Sequence, residues 1–132
     1  ITEGRTITET DLVMFSYFTG DWTSLHTDIE SAKKSMFGER VAHGYLTLSV
    51  SLGLMIRSGV INTDLFIAMK SIDHVKFLRP VKIGDTLRVM FGKRENIDIP
   101  EKIEVITDAK TINQRKEIVM EFQTSHIERS GN

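Results

Sequence analysis

No cysteine occurs among the 132 residues, which excludes disulfides, thiolate nucleophiles and zinc–thiolate sites and suits a reducing compartment such as the cytoplasm. An excess of one charge is also missing. Seventeen Lys and Arg stand against eighteen Asp and Glu, for a formal net charge of -1, so bulk attraction to a nucleic-acid backbone is not expected. The longest apolar stretch, around Val50 to Ile56, is too short to cross a bilayer, and the opening residues show neither a basic n-region nor a signal-peptide core. The sequence opens at Ile1 without a Met, which leaves room for a short preceding segment. Internal repeats, low-complexity tracts and charge blocks are absent too.

What is present describes a globular chain. Hydrophobic residues make up 40% and charged residues 27%, and the length suits one core better than two. Residues 1–132 are therefore read as a single domain. After a polar lead from Thr2 to Glu9, apolar residues between Asp11 and Phe18 recur at helical spacing, with Thr8 or Thr10 as N-cap and Gly20 as the stop. Thr19 to Asp28 is too rich in turn formers for a regular element and reads as a loop. A short helix over Ile29 to Lys34, capped by Thr27 or Asp28, follows.

From His43 to Ser58 the chain is apolar or small on every side until Arg57, which predicts a helix buried all round. Ser49 and Gly53 share one of its faces and suit close approach by a sheet. The remainder reads as strands: Leu65 to Ile72 running into His74 to Leu78, Thr86 to Lys93, Lys102 to Ala109, and Glu117 to Ile127. Turns are expected at Arg79-Pro80, Ile83 to Asp85, Asn96 to Pro100 and Asn113-Gln114. A long helix followed by an antiparallel sheet gives an α+β domain in which the sheet curls round the helix. A small domain of this kind has an open sheet edge, so a homodimer is expected, with higher assemblies left open.

Two features carry chemistry. Asp21 and His26 share one short loop, where a carboxylate and an imidazole can converge on one water; burial would move the carboxylate pKa up towards neutrality. The plainer reading of such a pair is an Asx-turn beside a surface ring. His43-Gly44 stands at the entry of the long helix, where backbone N–H groups lack intrahelical partners and Gly44 lets a ligand approach. There the Gly44 N–H can hold a carbonyl oxygen as it gains charge, or Gly44 can simply allow a tight turn. His74 and His126 read as ordinary strand residues, and nothing in the histidine spacing suggests a metal site.

Three blocks in order resemble the MaoC-like dehydratase and R-specific enoyl-CoA hydratase family. They are Phe18-Thr19-Gly20-Asp21-Trp22-Thr23-Ser24-Leu25-His26, Val41-Ala42-His43-Gly44-Tyr45-Leu46, and Val75-Lys76-Phe77-Leu78-Arg79-Pro80-Val81-Lys82-Ile83-Gly84-Asp85-Thr86-Leu87. The resemblance runs from Asp11 to Phe122. It implies a hotdog fold, an acyl-CoA or acyl-carrier-protein thioester substrate, no cofactor, and hydration of a trans-2-enoyl thioester to the (R)-3-hydroxyacyl product. Asp21 and His26 would activate the water and Gly44 would be the oxyanion donor. Trp22, Thr23, His43, Tyr45 and Ser49 are candidates for contacting substrate, with Trp22 and Tyr45 as walls of an acyl pocket. Thr23 and Ser24 replace the Asn-Pro that many members carry, which removes a rigid element from the loop; Thr23 can still bond a neighbouring carboxylate. Ser49 or Ser51 would supply the serine that supports the acid in relatives. Of Lys76, Arg79, Lys82, Arg88, Lys93 and Arg94, some could meet a CoA phosphate. The alternatives are a hotdog acyl-CoA thioesterase and a non-catalytic thioester-binding domain.

Overall fold

A computed structural model describes residues 1–130. Its elements are β1 (Arg5–Thr6), α1 (Glu9–Thr19), α2 (Ser24–Thr27), α3 (Ile29–Lys33), α4 (Gly44–Ser58), β2 (Phe66–Phe77), β3 (Thr86–Ile99), β4 (Lys102–Ile112) and β5 (Ile118–Arg129). Of the two threonines considered, Thr8 is the cap of α1. Its hydroxyl accepts from the Asp11 N–H while the Asp11 carboxylate accepts from the Thr8 N–H, a reciprocal capping box. Gly20 ends α1 at φ 79°, where a side chain would be strained, and returns its N–H to the Ser16 carbonyl. Asp28 caps α3 by accepting from the N–H groups of Glu30 and Ser31. Between them the Thr19–Asp28 segment is not wholly irregular, because Ser24–Thr27 closes one helical turn.

The sheet has the order β1-β3-β4-β5-β2, and every neighbouring pair is antiparallel. Register shifts interrupt β2 at three places and β3 once, between Phe91 and Arg94. Such bulges add local twist and bend, which lets the sheet curve across α4. Leu87, Val89, Ala109, Met120 and Phe122 on the strands pack with Leu46, Leu54 and Met55 of α4 in one core. Each such side chain, fully buried, stabilises the fold by about 1.5–3 kcal/mol. The result is the α+β hotdog arrangement, a helix wrapped by a curled antiparallel sheet.

Four expectations need correction. α4 is not buried all round: Leu46, Thr47, Ser51, Leu54 and Met55 face the sheet, whereas Tyr45, Ser49, Gly53, Ile56 and Arg57 are exposed. Ser49 and Gly53 thus lie on the side away from the sheet, and a Cβ built on Gly53 would meet nothing within 4 Å. The turn expected across Asn96 to Pro100 is narrower, since Asn96 to Ile99 pair with Val105 to Lys102 and only Pro100 and Glu101 turn, Glu101 at φ 64°. Cross-strand pairing there overrides the turn propensity of Asn and Asp. The polar lead also belongs to the sheet: Arg5 and Thr6 pair with Leu87 and Thr86, and Thr2 and Ile7 are buried. Among the described residues no helix is long and apolar enough to cross a membrane.

Candidate active site

Asp21 follows the Gly20 stop of α1, and the loop then folds back on its carboxylate. Thr23 donates to Asp21 Oδ1 twice, from its N–H at 3.1 Å and its hydroxyl at 2.6 Å. Tyr45, from the first turn of α4, donates its hydroxyl to Oδ2. Three donors favour the ionised form, so the Asp21 pKa is held far below the ordinary carboxylate range, first by the Thr23 hydroxyl and then by Tyr45. This is the reverse of the expected upward shift, because hydrogen bonding outweighs desolvation at this half-open position. Asp21 is indeed the Asx-turn of the plainer reading, with a further bond from another element.

His26 sits in α2 with its Nδ1 2.7 Å from the Val41 carbonyl oxygen. A carbonyl only accepts, so Nδ1 carries a proton, and in the neutral ring the lone pair belongs to Nε2. Behind the ring lies His43, stacked on it with centroids 3.9 Å apart and planes 25° apart. His43 is fully enclosed. Its Nε2 is 3.1 Å from Ser16 Oγ and 3.4 Å from the Asp21 carbonyl oxygen, which places the proton on Nε2. Burial, and next the neighbouring His26, push the His43 pKa down, against a smaller upward pull from Asp21.

α4 has no side-chain cap, and no protein acceptor faces the Gly44 N–H among the described residues. That donor opens on a cavity of about 500 Å³ lined by His26, Gly44 and Tyr45 on one side and by Leu25, Phe77 and Val119 among its apolar walls. A Cβ on Gly44 would stand 2.9 Å from the Phe77 ring, so glycine is required for packing as well as for access. Asp21, His26 and His43 bring nitrogen and oxygen atoms within 4.8 Å of one another. His43 Nε2 already meets Ser16 Oγ and the Asp21 carbonyl oxygen, and the two imidazoles stack with centroids 3.9 Å apart.

The structure therefore brings together Asp21, Thr23, His26, Gly44 and Tyr45. His43 supports the site from behind and does not line the cavity. Trp22 is half exposed, edge-on to Tyr17 with centroids 4.6 Å apart, and is not part of the cavity wall. Ser49 is not at the site: its hydroxyl donates to the Tyr45 carbonyl, and it borders a separate groove with Arg5 and Arg57. Ser51 points into the core, bonded to Thr47 and Thr111. Of the six cations, Arg79 lines the cavity, paired with Glu117, and Lys82 lies beside it, near Glu39. Lys93 is paired with Glu95 on β3. Sequence reasoning missed Ser16 and the Val41 carbonyl. A serine one turn after Leu12 on the buried side of α1 was the available signal for Ser16; a backbone acceptor leaves none.

Comparison with known proteins shows the family. The model of the MaoC like domain matches residues 2–115. Protein MaoC of Klebsiella aerogenes is 42% identical over 89 residues, covering 67% of this chain and 26% of that protein. The (R)-specific enoyl-CoA hydratase of Rhodospirillum rubrum is 31% identical over 87 residues, covering 63% of this chain and 55% of that one. The chain thus spans about a quarter of the first relative and about half of the second. The crystal structure of an Archaeoglobus fulgidus protein, described as a monoamine oxidase regulatory protein, superposes with a TM-score of 0.89 at 37% identity, covering 99% of this chain and 88% of that one. With a family model over most of its length and a hotdog architecture to match, the chain belongs to the MaoC-like dehydratase family.

Proposed function

We propose that this site adds water reversibly to a trans-2-enoyl thioester, most simply an enoyl-CoA, giving the (R)-3-hydroxyacyl thioester. The observation that carries the reading is the meeting of the ionised Asp21 with His26 beside an apolar cavity that His26 and Gly44, with its open N–H, both line. The thioester oxygen accepts from Gly44, which favours the negative charge that develops there. Water lies between Asp21 and His26. His26 Nε2 takes a proton as the water oxygen bonds to Cβ; the π electrons move to the thioester oxygen, and the enolate then takes a proton from the pair at Cα. Asp21 is a weak base in this environment and serves to orient the water and to stabilise the imidazolium. The apolar wall of Leu25, Phe77 and Val119 suits an acyl chain, and Arg79 at the rim suits a phosphate of the carrier. The (R) outcome draws support from the (R)-specificity of the Rhodospirillum relative.

Crotonyl-CoA absorbance and free thiol, followed together, test this. The expected result is loss of the conjugated double bond without thiol release, reduced about 10²–10⁴-fold in Asp21→Asn and in His26→Asn. Thiol release would replace the reading with a thioesterase. No signal with enoyl chains of several lengths, or with an acyl-carrier protein, would leave a thioester-binding domain.

A further inference from the structure

We propose that Tyr45 is a positioning residue for Asp21, and that the first turn of α4 thereby fixes the distance between the carboxylate and the oxyanion donor. The kinetic part of this proposal rests on the hydratase reading.

The bonds to Asp21 divide into two kinds. Both donors on Oδ1 come from Thr23, two residues away in the same loop. They set the carboxylate's orientation within the loop but do not tie the loop to anything else. Tyr45 is 24 residues distant and holds Oδ2 from another element. Among the described residues it is the one side-chain donor from α4 on this carboxylate. The remaining link to that end of the helix is the long contact, 3.4 Å, between His43 Nε2 and the Asp21 backbone carbonyl.

The tether is well anchored. The Tyr45 ring leans on Phe15 of α1, with centroids 5.4 Å apart, and Phe15 packs edge-on against His43 at 5.1 Å. The ring is therefore braced from inside although the residue is 43% exposed. An exposed tyrosine on a helix gains little by ordering itself unless its hydroxyl has a fixed partner. Tyr45 also follows Gly44 directly. One turn of helix hence presents the N–H that faces the thioester oxygen and the hydroxyl that holds the acid. In an enoyl thioester the carbonyl oxygen and Cβ are separated by a short rigid conjugated system, so the two contact points must be spaced correctly at the same time. A loop carrying Thr23-Ser24, without a proline to stiffen it, gains that spacing from outside itself.

The same geometry explains why neither Ser49 nor Ser51 reaches the acid. The supporting hydroxyl comes from the residue after the glycine, on a side chain long enough to cross from α4 to the loop. Tyr45 remains a protonated donor, its pKa pushed up chiefly by the Asp21 hydrogen bond.

Tyr45→Phe keeps the ring and removes the hydroxyl. With crotonyl-CoA, kcat should fall roughly 10–100-fold, the scale of a misplaced catalytic group, with KM within about twofold of wild type and an unchanged urea midpoint. A second measurement does not need turnover: ¹³C NMR of Asp side-chain carboxyls, with the Asp21 signal assigned by Asp21→Asn. Asp21 should protonate at clearly higher pH in Tyr45→Phe than in wild type. An unchanged Asp21 titration together with an unchanged kcat overturns the proposal. An unchanged titration with a rise in KM alone also overturns it and makes Tyr45 a pocket wall. Should wild type hydrate no enoyl thioester, the hydratase reading falls while the NMR titration still decides whether Tyr45 holds Asp21.

Discussion

His43 is enclosed on every side, yet its Nδ1 has no hydrogen-bond partner among the described residues. An unpaired lone pair is tolerable there; an unpaired N–H on a cation would not be. The ring is thus kept neutral, and neutrality matters because His26 lies 3.9 Å away and two adjacent imidazolium ions would repel. The folded pKa lies below the unfolded one, so under acid conditions the unfolded chain takes this proton first. Stability is then full above the ordinary histidine pKa of about 6.5 and falls as pH drops below it, with a slope of at most about 1.4 kcal/mol per pH unit for one proton. Asp21 acts in the same direction in a lower window, beneath about pH 4, since its carboxylate is favoured by folding. Urea midpoints measured between pH 8 and 5 (about three units spanning that histidine value) should decline in wild type and stay flatter in His43→Gln. Glutamine can still offer an N–H to Ser16 Oγ but does not titrate. Equal slopes in the two proteins would assign the pH dependence to another group.

Between α4 and β4 the polar contact of Ser51 and Thr111 joins helix to sheet across the core, with the two oxygens 2.7 Å apart and both residues fully buried. Ser51 also donates to the Thr47 carbonyl, so in the contact with Thr111 it is the acceptor. Ser51→Ala would leave the Thr111 hydroxyl unpaired in the core, at a cost of about 1–3 kcal/mol, whereas Ser51→Ala with Thr111→Val removes both ends and should recover part of it. Chemical denaturation of the three variants measures this, and kcat on crotonyl-CoA should change little. A large drop in kcat at an unchanged denaturation midpoint would mean that Ser51 serves the acid after all. The sequence showed this helix and its stop but not its orientation. A helix whose open face is built from Ser49 and Gly53 has no charged stripe to reveal which side meets solvent. The turns were clearest where glycine or proline enforces them, at Gly20, Gly84 and Pro80. They failed at Asn96, where pairing with Val105 decides the backbone. In the site, Asp21 and His26 were legible because only four residues separate them. Tyr45 was visible only as a neighbour of Gly44, because its bond to Asp21 exists only after α1 and α4 have packed.

At the scale of the molecule, the sheet ends in an unfinished edge. β2 runs for twelve residues with β5 on one side and no strand on the other among the described residues. Ile67, Met69 and Ile72 along it are between 37% and 47% exposed. Edge strands in monomers are usually short, charged or covered, and a long apolar one invites pairing with another strand. The bulges at Met69/Ser71 and Asp73/Lys76 twist this edge without blocking it. A second copy is the simplest partner, because a two-fold axis across β2 sets the same strand antiparallel to itself and closes both edges at once. On this account light scattering after gel filtration should return twice the chain mass. Ile67→Lys with Ile72→Lys, both at exposed positions where the single chain loses little packing, should return the chain mass through like-charge repulsion along the paired strands. The Phe77 end of β2 also lines the proposed acyl cavity, so separation of the copies should raise KM for longer enoyl chains more than for crotonyl-CoA. A wild-type protein with the mass of one chain would remove the dimer and leave the β2 edge exposed.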